Sequence, residues 1–208
     1  MKAAVALADR DGIDSVTMRK LAEELDAGAM SLYYHVPNKD ALLDGMVDIV
    51  FSEIELPSTD VDWKTAMRRR AISTRQALRR HPWALGRMEA TTAPGPADLR
   101  LHDAVLRCLR VAGFSVEMAV QAYSVQDAYI YGFALQDRAL PFGTQEEFAE
   151  AAGKRVQEVK SRMEDAARAY PTLAEVVAGY VATHGYDAGE AFEFGLDIIL
   201  DGLDRFRK

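Results

Sequence analysis

The residues of this 208-residue chain best suited to recognition chemistry gather in one stretch, Thr17–Lys39. Arg19 and Lys39 are its useful cations. An arginine side chain can make two parallel hydrogen bonds to the edge of a guanine. A lysine at the start of a helix adds its ammonium to free backbone N–H groups and makes a phosphate clamp. Thr17, Ser31, Tyr33 and His35 supply neutral hydrogen bonds of the kind that hold phosphates. Ala29 and Met30 can offer only apolar contact, for instance to a thymine methyl. This set is equipped to grip a nucleic acid, not to make or break bonds.

Two short helices must position these groups. Met18, Leu21, Ala22 and Leu25 follow the i, i+3, i+4, i+7 spacing of one helix face. Thr17 is a good N-cap, and Val16 with Leu21 fits a hydrophobic staple. Asp26-Ala27-Gly28 breaks the pattern, and a second helix is expected from Ala29 to Tyr34. Ala29, Met30, Tyr33 and Tyr34 lie three or four apart on its free face. Leu32 points the other way and is expected to anchor the helix against Leu21 and Leu25. Two helices, a tight turn and an unburied second-helix face describe a helix-turn-helix.

At these residues a resemblance becomes specific. Thr17-x-Arg19-x-Leu21-Ala22, Ser31-Leu32-Tyr33-Tyr34-His35-Val36 and Asn38-Lys39-x-x-Leu42-Leu43 together resemble the N-terminal DNA-binding domain of the tetracycline-repressor (TetR) family. The resemblance implies a double-stranded operator as partner and a contact set of Thr17, Arg19, Gly28, Ala29, Met30, Ser31, Tyr33, Tyr34, His35 and Lys39. It also implies an all-α fold: a three-helix helix-turn-helix domain over residues 1–56 and a helical ligand-binding and dimerisation domain over 57–208. The expected function is a transcriptional regulator, a repressor that leaves its operator when a small-molecule effector binds.

Composition tests that reading. The net charge is −7, and residues 1–50 carry five Lys/Arg against nine Asp/Glu, so DNA binding must rest on a few placed cations. A helical small-molecule sensor without DNA binding is the alternative that this acidic head suggests. The sequence has no apolar run of membrane-spanning length and no leader pattern, which predicts a cytoplasmic protein without a membrane partner. One cysteine, Cys108, excludes an intramolecular disulfide and sits in a helical apolar pattern as a buried thiol. His81, His102 and His184 have no metal-ligand spacing, so no metal or other cofactor is expected. Nucleophile elbow, phosphate loop and dinucleotide fingerprint are all missing from the sequence, which argues against an enzyme.

The remaining chain reads as helix. Lys2–Arg10 is expected to end at a left-handed Gly12, with Ile13 packing back. A helix from Asn38 carries the stripe Leu42, Leu43, Met46, Val47 and Val50 and stops before Pro57. Trp63–Arg80 holds Lys64, Arg68, Arg69, Arg70, Arg75, Arg79 and Arg80 with no acid, and reads as a solvated face. After His81-Pro82 come a short helix Trp83–Ala90, a loop Thr91–Pro96 and a helix Ala97–Ala112. Gln145–Ala169 is charged, and Pro171 separates it from Leu173–Thr183.

Ser115–Leu140 and Ala188–Phe206 are the most apolar segments, and Gly195 and Gly202 allow close helix approach. Apolarity nearly all round a helix requires burial on two sides. A homodimer through 115–140 and 188–206, packed as a four-helix bundle, meets that need. The order of these elements also resembles the ligand-binding domain of the tetracycline repressors proper, which implies an effector pocket within residues 60–140. Trp83, Met88, His102, Tyr123 and Gln126 are its candidate lining. Those repressors hold a metal-bound drug with a histidine where Met88 stands here, so a tetracycline–magnesium ligand is not expected.

Overall fold

Side-chain caps decide where several helices of this chain begin. A computed structural model describes residues 1–88, 94–139, 167–176 and 187–207, and every regular element among them is helical, as expected. Helix α1 spans Lys2–Asp11, followed by a 3-10 turn at Ile13–Ser15. The Thr17 hydroxyl oxygen accepts the Lys20 N–H at 3.1 Å and starts α2, Met18–Glu24. Helix α3 is Ala29–His35. Asn38 Oδ1 accepts the Ala41 N–H at 2.8 Å and starts α4, Lys39–Ser52. Asp62 caps α5, Trp63–Arg80, over the N–H groups of Lys64 and Thr65. Helices α6, Leu85–Met88, α7, Pro96–Val111, α8, Val116–Ala139, α9, Pro171–Val176, and α10, Ala188–Asp204, complete the order.

The described chain divides into two compact units, Met1–Leu135 with Leu196–Lys208, and Gln136–Gly195. In the first, Ala4, Leu7 and Ala8 of α1 and Leu21 and Ala22 of α2 are buried. So is the expected α4 stripe Leu42, Leu43, Met46, Val47 and Val50, with Phe51 added. In the second, α9 buries none of its residues, and Pro171 opens that helix. The predicted charged segment Gln145–Ala169 lies almost wholly outside the described residues, as do parts of the 91–96 loop and of 173–183. No helix among the described residues is long and apolar enough to cross a membrane.

One cap comes from a neighbouring helix. Asp48, on α4, accepts the N–H groups of Ala97 and Asp98 at 2.8 and 3.2 Å and so caps α7. A Cβ on Gly95 would lie 2.2 Å from Asp48 Oδ1, so glycine is required for the carboxylate to reach the helix end.

Three expectations need correction. Gly12 has the predicted positive φ of 83°, but its ψ of 158° is extended rather than left-handed helical, a region open essentially to glycine alone. Leu25 is exposed, because it caps the end of α2 instead of continuing its buried face. The cationic helix α5 is a solvated face only in part: Arg69, Arg79 and Arg80 are exposed, but the other cations are not. Arg70 is fully buried and Arg75 nearly so, with the Arg75 guanidinium 5.2 Å from the Phe133 ring centre. Lys64 meets Asp201 and Asp204 at 2.8 and 3.2 Å, and Arg68 meets Asp197 at 3.2 Å. Acids spaced along one face of α10 supply the partners that the α5 sequence lacks.

Within a single chain, α8 buries Ala119, Ala122, Gln126, Ile130 and Ala134 and leaves Val116, Val120, Val125 and Leu135 exposed. Helix α10 buries Phe192, Leu196, Leu200 and Leu203 and exposes Phe194 and Ile198, while Ile199 is half-buried.

A polar seam joins α1, the end of α4 and the turn after α5. His81, buried, places Nδ1 2.7 Å from Asp9 Oδ1 and Nε2 3.2 Å from both Glu53 oxygens. Trp83 Nε1 donates to Asp9 Oδ1 at 2.7 Å, and Arg80 Nη2 donates to Glu53 at 2.7 Å. Burial pushes the Glu53 carboxyl up, but hydrogen bonds from Arg80 and His81 outweigh it and leave the group below its ordinary 4.5. A depressed carboxylate stabilises the fold above its unfolded-state pKa, and that contribution disappears as pH falls through the folded value. Thermal unfolding of Glu53→Gln should therefore show a deficit against wild type at pH 7 that closes below pH 4.5. A deficit of the same size at every pH would contradict this account of the seam.

Candidate nucleic-acid interface

The recognition face forms because α3 has only one side to bury. Leu32 is half-buried, whereas Met30, Tyr33 and Tyr34 are 82, 47 and 89% exposed. Ala29 opens the helix, and Ser31 and His35 are exposed beside that face. The rings of Tyr34 and His35 meet edge to face with centres 5.4 Å apart. Contiguous large apolar side chains left in water are uncommon on a monomer and mark a contact surface. In the turn before α3, Asp26 takes the left-handed step with φ 48°, while Gly28 is the N-cap at φ −72°.

Arg19 and Lys39 stand at the two sides of this helix in sequence, and both are exposed. The Arg19 side chain, 89% exposed, has only Glu23 at 3.7 Å, a surface pair that exchanges readily for a stronger partner. Lys39 is the first residue of α4, where backbone N–H groups lack partners within the helix. Thr17 uses its oxygen as a cap, so its O–H remains a donor.

The acids of the head are largely engaged elsewhere. Asp11 binds Lys20 at 2.7 Å, and hydrogen bonds from Lys20 and then Arg10 hold its carboxyl below the usual range. Glu24 pairs with Arg10, Asp9 belongs to the His81 seam, and Asp48 caps α7. Net charge thus misjudges this domain, since five of its acids, Glu23 included, are each paired or hydrogen-bonded within the fold.

The expected effector residues separate into two groups. His102 of α7 and Tyr123 of α8 meet edge to face at 5.0 Å. Gln126 is fully buried one turn further along α8. Trp83 instead belongs to the seam, hydrogen-bonded to Asp9 and against the His81 ring at 6.1 Å. Met88 is buried in α6. The group that sequence reasoning missed is Arg70. Its Nη2 donates to Asp127, one residue after Gln126, and its Cζ lies 5.3 Å from the Tyr123 ring centre. The signal was available: Arg70 follows Ala66 and Met67 at i+4 and i+3, on the buried stripe of α5. Burial pushes the Tyr123 phenol far above its ordinary value, so it stays a neutral hydrogen-bonding group. Burial also raises the Asp98 carboxyl, against the opposing pull of His102, whose Nδ1 is 2.8 Å from Asp98 Oδ1.

Comparison with known proteins agrees with this arrangement. Residues 1–46 match the family described as bacterial regulatory proteins, tetR family. Residues 56–206 match the tetracyclin repressor-like C-terminal domain. The chain is 35% identical over 210 residues to tetracycline repressor protein class A from transposon 1721 of Escherichia coli, covering 100% of this chain and 89% of that protein. It is 34% identical over 212 residues to the HTH-type transcriptional repressor DrrR1 of Streptomyces coeruleorubidus, covering 98% and 75%. The crystal structure of the TetR family protein ActR of Streptomyces coelicolor in complex with actinorhodin superposes with a TM-score of 0.73 at 29% identity, covering 97% of this chain and 93% of that one. Helix-turn-helix geometry, an open α3 face and these matches along the chain lead to one conclusion: it belongs to the TetR family of DNA-binding transcriptional regulators, which are not enzymes.

Proposed function

We propose that this protein is a cytoplasmic, homodimeric repressor that reads operator DNA with α3 and releases it when a small molecule binds near Tyr123. The observation that carries the reading is the exposed Met30–Tyr33–Tyr34 face between Arg19 and Lys39. Ala29, Met30, Tyr33 and Tyr34 contact bases and groove walls. Thr17, Ser31, His35 and Lys39 hold phosphates, and Gly28 lets the turn approach the backbone. Arg19 is the main polar reader. The domain division is placed at 56/57, next to residue 56, where the second family match begins; the first match ends at residue 46.

Helices α8 and α10 form the dimer in this proposal, through the apolar side chains each leaves exposed. Ile198, rather than the half-buried Ile199, is the residue to challenge there. The effector lies beside His102, Tyr123 and Gln126. Met88 offers a thioether where a hard metal ion would need nitrogen or oxygen, so the ligand is not a metal-bound tetracycline.

Release follows from how α4 is held. Its first residue is Lys39, beside α3, and further along the helix Asp48 carries the start of α7, the helix that presents His102. A ligand that shifts α7 therefore tilts α4 and moves the reading head. Such a ligand must bind the tilted state better than the DNA-bound one, since equal affinity for both shifts nothing.

Three outcomes test this reading. Arg19→Ala should cost about 1–3 kcal/mol and erase the preference for one guanine, whereas Lys39→Ala should weaken all sequences alike and lower the salt slope by about one. Site selection from random DNA with both variants separates the roles, and an unchanged guanine in the Arg19 variant defeats the assignment. Ile198→Asp should convert the dimer to monomer in sedimentation at micromolar concentration, because a buried unpaired carboxylate is costly. Asp48→Ala should lower stability by about 1 kcal/mol, the worth of a helix cap, and leave DNA binding less sensitive to effector than in wild type. Full effector response in that variant would show that α7 does not drive α4.

A further inference from the structure

Arg70 and Gln126 hold most of the unmet hydrogen-bonding capacity in the described interior. Both are fully buried. Arg70 uses Nη2 on Asp127, but its Nε and Nη1 have no partner, and neither end of the Gln126 amide has one. Native interiors satisfy nearly all such groups, so two buried side chains left open on this scale, on helices linked by the Arg70–Asp127 bond, point to a missing binding partner. Asp98 Oδ1 and Trp63 Nε1 are the other open atoms among the described residues. The first lies 2.8 Å from His102 Nδ1, and the second is an isolated donor.

The open atoms of Arg70 and Gln126 are unbalanced in kind. Guanidinium Nε and Nη1 only donate, and the glutamine amide adds two donors against a single acceptor oxygen. Water brings as many donors as acceptors and suits such a site poorly. A carboxylate brings acceptors alone and a charge opposite to that of Arg70. The acids that face the cluster are Asp127 and Asp98. Asp127 engages one of the three guanidinium nitrogens, and burial moves Asp98 toward its neutral form.

We propose that the effector carries a carboxylate, received by one of the free N–H groups of Arg70 and by the Gln126 amide, with its body beside the rings of Tyr123 and His102. This rests on the reading that places the effector site at Tyr123. Arg70 then acts as the specificity residue of the site, because a neutral analogue of the same shape leaves its N–H groups unpaired.

The test uses the full-length protein with 2-naphthoate and its methyl ester as probes, followed by isothermal titration. Wild type should bind the acid about ten- to a hundred-fold tighter than the ester. Arg70→Met should bind the two equally, and Gln126→Leu should reduce the preference by several-fold. Since Arg70→Met leaves Asp127 without its cation, a second readout uses wild type only. The Arg70 Nε–H resonance should move on adding acid and stay in place on adding ester. Equal affinity of wild type for acid and ester, or a shift of Arg70 by both, overturns the carboxylate assignment while leaving the site. If neither probe binds at millimolar concentration to protein that still binds DNA, the effector site itself is misplaced and the assignment falls with it.

Discussion

Two backbone N–H groups at the start of α7 end on a carboxylate that belongs to α4. That contact, Asp48 to Ala97 and Asp98, joins the helix that begins at Lys39 to the helix that presents His102, a residue of the proposed effector site. It is a directional bond on an otherwise greasy surface. Apolar packing of the α4 stripe is non-directional, whereas a capped helix end adds a directional contact that fixes one register. Gly95 is needed there for lack of room, with backbone geometry playing no part. The His81 seam adds a second fixed point five residues on, at the C-terminal end of α4, tying Glu53 to α1 through Asp9. In the proposed release, these two holds let α4 transmit a tilt instead of absorbing it.

Charge in this chain serves assembly as much as surface. Helix α5 has no acid of its own, yet several of its cations find distant partners: Lys64 and Arg68 on α10, Arg80 at Glu53, Arg70 in part at Asp127. The exposed pairs contribute little each, since solvent screens them and ordering long side chains offsets the attraction. Arg70 is different in kind. Moving a guanidinium out of water carries a desolvation cost that a single carboxylate contact does not fully repay. On the proposed carboxylate contact, Arg70 contributes more to specificity than to stability.

Local chemistry was readable in the sequence and long-range pairing was not. Thr17 and Asn38 were identified as caps and act as caps, because a cap is decided within four residues. Helix α5 runs from Trp63 to Arg80 as the pattern predicts, bounded by Asp62 and by His81-Pro82. The open face of α3 followed from spacing alone. Periodicity misled at Leu25, where the helix had already ended. The burial of Arg70 and the His81 seam were not legible for one reason: the partners Asp127, Asp9 and Glu53 lie far along the chain. A rule that sends charged residues to solvent fails wherever a distant helix brings the opposite charge to meet them.

The α3 face described above has a thermodynamic consequence. On the proposed contact, binding covers Met30, Tyr33 and Tyr34 while neutralising few phosphates, because the head offers few free cations. Covering apolar surface lowers the heat capacity of the system, so the enthalpy of association becomes more favourable as temperature rises while the entropy becomes less so. Counterion release, which dominates the grip of strongly basic DNA binders, contributes comparatively little here. The complex would then be governed by temperature and hydration more than by ionic strength.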